Sequence, residues 1–492
     1  MNEPAAPGRR PWILAAGLLG ILAWQGVIFQ RPPEATYPLE ASGGMLPFQF
    51  EFVYFLYYLD LYPLATEQVE PHDFSVKGAW RVIAERGHTL VMDHWWTVRY
   101  GERAKTYLYL PHSYLKGKPG YKMKYANGPA FVLALLALFA ALWWIARARL
   151  AVVLVLLLGS DPFQLTEVYR NNNVFGWAIT TTLLVLALHL PLLGGRRTSP
   201  WYHWTLPVVT GALLASILQI RTEPVLVIAP AALSYLLASS LRWRVRLALT
   251  LVLGLSFALV SQHWNRYFEA KFAETYRLVK LAGGHTYDGP RQSHHFFWHA
   301  LWCGLGDFDT RYHYRWSDLS AEAWALPVMK NRLGFAPQGP RGAEIPLSLG
   351  VCWDADCVYP KTIFETPEYV QVVRDKVLHD IARDPAWYLA ILGRRLSRIL
   401  TLTTAPSLHL GGEWVLSLPR SAIYGVGSLL LCGLLAWKRR WLELEMIAFT
   451  LPLAATAFLV YSGGGVTNYN VYHLFALAIA LDWAFVLRVR PR

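Results

Sequence analysis

Carboxylates and guanidinium groups sit beside apolar blocks in three short stretches of this chain. Asp60, with Glu51 upstream, lies in the aromatic run FQFEFVYFLYYLDLY over 48–62. Asp161, Glu167 and Arg170 share the stretch SDPFQLTEVYRNNN. Arg221 and Glu223 flank Thr222 between two further apolar blocks. A carboxylate can take a proton from an incoming nucleophile. An arginine can offset the negative charge that develops on a leaving phosphate. Charged groups at the edge of hydrocarbon are costly, so a set that meets in one cavity points to function. Each of these groups also has a plainer use. Asp161 precedes Pro162 and suits the N-cap of a helix.

Histidines and cysteines add weaker signals. In SHHFFWHALW, His295 and His299 are four apart and share a face if helical, a spacing that metal sites use. No acidic third ligand is fixed nearby, and Phe296, Phe297 and Trp298 suit a helix on a membrane surface equally well. A divalent cation therefore stays open, and no other cofactor is called for. Cys352 and Cys357 bracket Trp-Asp-Ala-Asp and form either a small disulfide loop or two free thiols. Cys303 stands alone and Cys432 lies within an apolar block.

The elements that must position these groups follow from composition. Of 492 residues, 54% are hydrophobic and only 16% charged, against about 25% charged in an average soluble domain. Mean hydropathy is +0.27. The apolar residues fall in blocks of roughly 15–20, the length of a helix crossing about 30 Å of hydrocarbon. They lie near 12–29, 128–146, 149–163, 174–193, 202–220, 224–240, 246–262, 419–437, 443–461 and 470–487. A soluble enzyme, a disordered chain and a small disulfide scaffold are excluded, and the fold expected is an all-α polytopic membrane protein with about ten transmembrane helices.

The net charge of +13 would suit a nucleic-acid partner, but its distribution excludes one. Threading the blocks from a cytoplasmic N-terminus places Arg9/Arg10, Arg147/Arg149, Arg196/Arg197, Arg242/Arg244/Arg246, Lys438/Arg439/Arg440 and Arg488/Arg490/Arg492 on one face, about 15 basic residues against about 3 acids. That is the positive-inside pattern. Both termini are then cytoplasmic, and the first block, which has no small-residue cleavage site after it, is a retained span.

This threading divides the chain into a first span over 1–30, a first outer loop over 31–127, a bundle of about six helices over 128–262, a second outer segment over 263–418 and C-terminal spans over 419–492. The run over 48–62 suits a helix lying in the interface. In the second outer segment, Thr366-Pro367 opens a helix with Val370, Val373, Val377 and Ile381 at helical spacing, and Asp384-Pro385 opens another. In that second helix Leu389, Leu392, Leu396 and Ile399 are expected to form the apolar stripe, with Arg394, Arg395 and Arg398 elsewhere. Those arginines either hold a lipid phosphate or reach up to headgroups.

The layout resembles the GT-C fold glycosyltransferases, the superfamily of protein mannosyltransferases, aminoarabinose transferases and oligosaccharyltransferase catalytic subunits. The stretch SDPFQLTEVYRNNNVFGWAITTTLL is similar to that family's second outer loop, ILQIRTEPVLVIAPAAL to its arginine-bearing link, and DPAWYLAILGRRLSRIL to the helix at its return to the membrane. The resemblance implies sugar transfer from a polyprenyl-phosphate donor to a glycan, lipid or protein acceptor on the outer, periplasmic side of a cell inner membrane. It carries the catalytic base to Asp60 with Glu51 in reserve, the second-loop acids to Asp161 and Glu167, and donor contacts to Arg170, Arg221, Arg394 and Arg395. His295 and His473 are added as substrate contacts. In SGGGVTNYNVYH, Asn468, Asn470 and His473 either line a sugar site or cap the last helix. Asp60, Asp161 and Arg221 are expected to converge on one cavity.

Three rivals share this layout. A lipid-linked glycan or small-molecule transporter is disfavoured by few intramembrane charges, no visible inverted repeat and two large outer segments. Another is a non-catalytic membrane subunit of an envelope assembly complex. An O-antigen ligase or polymerase also uses outer arginines and histidines.

Overall fold

The structure is a computed structural model that describes residues 11–32, 104, 107–108, 110–116, 122–170, 174, 176–195, 199–238, 241–281, 297–316, 318–333, 367–401, 406–411, 413–419, 421–460 and 466–489. Asp60, Glu51, His294, His295, Cys352, Cys357 and the aromatic run over 48–62 lie outside the described residues.

The described chain is mostly helical. It opens with α1 (Pro11–Gln30), a short α2 (Leu110–Lys116), α3 (Lys124–Trp144), α4 (Ala148–Ser160), α5 (Pro162–Tyr169), α6 (Gly176–Leu193) and α7 (Pro200–Leu218). A 3₁₀ turn over Glu223–Val227 leads into α8 (Ile228–Leu237) and then α9 (Trp243–Leu281). Each of the ten expected apolar blocks is helical over most of its length. By length and composition α1, α3, α6 and the Trp243–Ala270 part of α9 are long and apolar enough to cross a membrane. Two bent helix pairs raise that number to six if each crosses as one span.

Several ends and bends have local causes. Pro11 and Pro200 open α1 and α7, where a missing N–H costs nothing. α9 runs straight through the expected boundary at residue 263. No glycine or proline follows until Gly283, so nothing stops it, and its 39 residues span about 58 Å, well beyond the hydrocarbon. Gly211 lets α7 and α9 touch along their backbones, since a Cβ there would lie 2.7 Å from the Leu253 carbonyl.

A second, smaller core is built from α10 (Phe297–Leu305), α11 (Asp318–Leu333), α12 (Pro367–Arg383) and α13 (Pro385–Thr401). Trp302, Tyr314, Tyr369, Val373, Val377, Trp387 and Ile391 are buried together there, so the valine spacing read in α12 marks its inner face. Lys376 enters this core because its charge is matched. Its Nζ lies 2.7 Å from Asp380 Oδ2 and about 5 Å above the rings of Tyr314 and Trp324.

The chain then forms a hairpin, β1 (Ser407–Leu410) and β2 (Glu413–Ser417), which the helical reading did not anticipate. It returns as α14 (Ile423–Trp437), the bent pair α15 (Trp441–Ala448) and α16 (Leu451–Leu459), and α17 (Val466–Val489). The main core joins α1, α3, α4, α6, α15 and α17 through residues such as Ile28, Phe131, Leu154, Leu183, Met446 and Phe475.

Candidate functional site

The site grows from the break between α4 and α5. The apolar run ARLAVVLVLLLGS ends at Ser160, and Pro162 forces the residue before it to be extended. Asp161 obliges at φ −63°, ψ 117°, and the two helices meet at a 61° bend. Asp161 is 2% exposed. Its Oδ2 accepts the Gln164 backbone N–H at 3.2 Å, the N-cap role open to it from the sequence. Its Oδ1 accepts Asn470 Nδ2 from α17 at 3.1 Å. The carboxylate is thus held on both oxygens, at the bend between the two helices of this broken pair.

α5 carries the other two residues of this turn. Glu167 is buried, with its Cβ close to where a side chain on Gly176 would start. Arg170, just past the helix end, donates from Nη2 to the Pro32 carbonyl at 2.8 Å, which ties α5 to the exit of α1. His473, three residues beyond Asn470 on α17, is also buried.

Residues that the sequence reading missed complete the surroundings. Gln25, buried in α1, donates from Nε2 to the Gly159 carbonyl at 3.0 Å and accepts the Tyr169 hydroxyl on Oε1 at 2.9 Å. A glutamine inside an apolar span is a recognisable sign of such bonding between helices. Ser160 Oγ accepts the His409 N–H at 3.0 Å, and Trp24 Nε1 donates to the His409 carbonyl at 2.7 Å. The hairpin is therefore wedged against α1 and the α4–α5 break. Its register slips between Leu408 and His409, a bulge that re-aims the strand, and His409 is completely buried. Gly411 at φ +49° makes the tip and packs on Val27. The hairpin signal was present in the pair Gly411-Gly412 between two short apolar runs.

Arg395 belongs to a second cluster, and its position corrects the expected stripe of α13. The buried row is Trp387, Ile391, Arg395 and Ile399, whereas Leu389 is 65% and Leu396 47% exposed. An arginine can take a core position here because its charge is matched. Nε lies 3.3 Å from Asp307 Oδ2, and Nη1 donates to the Phe458 and Leu459 carbonyls at 3.2 and 3.0 Å. Those carbonyls lie at the C-terminal end of α16, where the helix itself offers no partner. Nη2 is buried and has no hydrogen-bond partner among the described residues. Arg394 is exposed, so neighbours grouped in the sequence reading point to different surroundings, as residues about 100° apart on a helix must.

α17 links the two clusters. Asn470 holds Asp161, and Tyr472 packs in one cluster with Ile399 of α13 and Ala457 of α16, one helical turn from Arg395. Arg221 is buried and ion-paired with Glu223 at the start of the 3₁₀ turn. With Asp60 outside the described residues, its expected convergence with Asp161 and Arg221 stays a proposal.

Among the described residues no three His, Cys, Asp or Glu side chains are grouped to hold a metal ion. His299 has a different environment. Its Nδ1 is 2.6 Å from the Tyr369 hydroxyl, and its Nε2 is 4.0 Å from Cys303 Sγ, inside the smaller core.

No protein-family model matches the chain, and no curated protein sequence matches it. Among solved structures it is similar to the archaeal oligosaccharyltransferase of Archaeoglobus fulgidus, determined with an inhibitory peptide and a dolichol-phosphate, at a TM-score of 0.40 and 13% identity. The match covers 98% of this chain and 53% of that one, so the chain spans about half the length of that enzyme. At that TM-score the likeness fixes neither the fold nor the chemistry of this chain.

Proposed function

We propose that the protein is a membrane glycosyltransferase that moves a sugar from a polyprenyl-phosphate donor to an envelope acceptor on the outer face of an inner membrane. One observation carries the reading. α17 holds the buried carboxylate of Asp161 through Asn470, and through Tyr472 it packs on Ile399 of α13, the helix that carries the buried Arg395, whose Nη2 has no hydrogen-bond partner among the described residues. A carboxylate and a guanidinium are the groups this transfer requires.

In the proposed step an acceptor oxygen or nitrogen attacks the anomeric carbon. The bond from that carbon to the phosphate oxygen breaks, and the lipid phosphate leaves with the electron pair. The acceptor proton passes to a carboxylate, for which Asp60 is the first choice and Glu51 the second. Asp161 and Glu167 supply the remaining acidic groups of the site. Arg395, with Arg170 and Arg221 as further contacts, offsets the charge on the departing phosphate. His295 and His473 contact the sugar.

The test is transfer by the purified protein in lipid nanodiscs, with a polyprenyl-phosphate sugar as donor and the product followed by mass spectrometry. Glycosylated acceptor that disappears in Asp60→Asn supports the reading. Movement of the lipid-linked sugar across sealed vesicles with no transfer product overturns it in favour of a transporter.

A further inference from the structure

α4 and α17 run antiparallel and touch through polar groups at both ends. At the site end Asp161 accepts Asn470 Nδ2 at 3.1 Å. At the other end Arg149 Nε lies 4.0 Å from Asp482 Oδ1. The spacing matches on both helices: 12 residues separate 149 from 161 and 12 separate 470 from 482, about 18 Å of helix in each case. Between these contacts the pairing is apolar, with Leu150, Leu154 and Leu158 of α4 and Leu474, Ala478 and Ile479 of α17 in the main core. In lipid, such a seam has little hydrophobic drive to choose one axial register over another. Polar contacts at its ends do choose one.

The end remote from the site is further braced. Arg147, which precedes α4, lies 3.1 Å from the buried Glu443 carboxylate of α15, and Arg440 pairs with the same carboxylate. Residues from the α3–α4 turn, the α14–α15 turn and the last part of α17 thus gather around the first residues of α4.

We infer that Arg149 and Asp482, with the Arg147–Glu443 pair beside them, are positioning residues that set the register of α4 against α17 and so hold Asp161 in place at the far end. This rests on the proposed transfer reaction, because it assigns the device to the site that the reaction uses. It also makes a claim independent of activity: a change at Asp482 loosens the N-terminus of α5, roughly 18 Å away.

The experiment places like charges at the clasp and then restores the pair in reverse. Asp482→Arg, the exchange Arg149→Asp/Asp482→Arg and the wild type are reconstituted in nanodiscs. Hydrogen exchange of the amides over 162–169 is measured alongside kcat and the donor KM. We expect faster exchange in Asp482→Arg and a kcat lower by at least about tenfold with KM nearly unchanged, since a small displacement of a reacting group is costly. The charge exchange should restore both quantities. Wild-type exchange and kcat in Asp482→Arg overturn the inference, as does a charge exchange that restores neither. If Asp482→Arg does not insert, Asp482→Asn is read on the same two quantities, with wild-type values again overturning it. If the wild type transfers no sugar, the function proposal fails, and the amide exchange alone decides the clasp.

Discussion

The backbone of His409 is held from both sides: its N–H reaches Ser160 Oγ at 3.0 Å and its carbonyl accepts Trp24 Nε1 at 2.7 Å. A strand 249 residues away in sequence is thereby joined to the residue next to Asp161. The hairpin is part of the wall of the proposed site.

Loosening that join is expected to be measurable. Trp24→Phe removes one partly buried hydrogen bond and should cost about 1 kcal/mol. Gly411→Ala should cost more. It strains a left-handed residue and drives a Cβ to 2.4 Å from Val27 Cγ1. Thermal unfolding in detergent, followed by tryptophan fluorescence, ranks the two; Gly411→Ala as stable as the wild type would show that the tip is not seated on α1.

His409 also makes the fold sensitive to acid. Burial holds its imidazole below the ordinary 6.5, so the neutral form is the one folded. Its contribution is fully present above pH 6.5 and is lost as pH falls from there toward the folded value. Between pH 7 and 5 the wild type should lose thermal stability faster than His409→Gln, and parallel curves would remove His409 as the cause.

Asp384 acts in a lower pH window. The Trp387 N–H that it caps, then the Tyr312 hydroxyl and Arg311, hold its carboxyl below 3.8. Stability from this group is present above that ordinary value and disappears as pH falls through the folded one. Asp384→Asn should flatten the acid limb below about pH 4, read by exchange of the α13 amides. An unchanged limb would assign acid unfolding to other carboxylates.

Asp161 separates two roles by substitution. Asp161→Ala loses the cap and should cost about 0.5–2 kcal/mol. Asp161→Asn can still cap α5, so it should insert with near wild-type stability while losing sugar transfer. Full transfer by Asp161→Asn, together with full transfer by Asp60→Asn, would remove both residues from the chemistry.

The Arg395–Asp307 pair should show strong coupling. Arg395→Met removes a charge partner of the buried Asp307 carboxylate and should cost about 3–5 kcal/mol. Adding Asp307→Asn should recover much of that loss, so the two changes will not add. Additive losses in a double-mutant cycle, measured by chemical denaturation, would mean that the pair contributes little as a pair.

What the amino-acid sequence determined by itself was local. Runs of apolar residues long enough for a span became helices because a continuous helix satisfies its own backbone, whatever surrounds it. Asp161-Pro162 and Asp384-Pro385 became a bend and a helix start because proline constrains its neighbours directly. The valine spacing of α12 marked its buried face for the same local reason. Only the tertiary structure decided which polar groups meet. Gln25 finds Gly159 and Tyr169, Asp161 finds Asn470, Ser160 finds His409, and Arg395 finds Asp307 and the end of α16. Periodicity assigns an arginine to the outside because a lone charge is costly to bury. The cost of burying Arg395 falls once its partners arrive from elements 63 to 88 residues distant, and no local pattern records those partners.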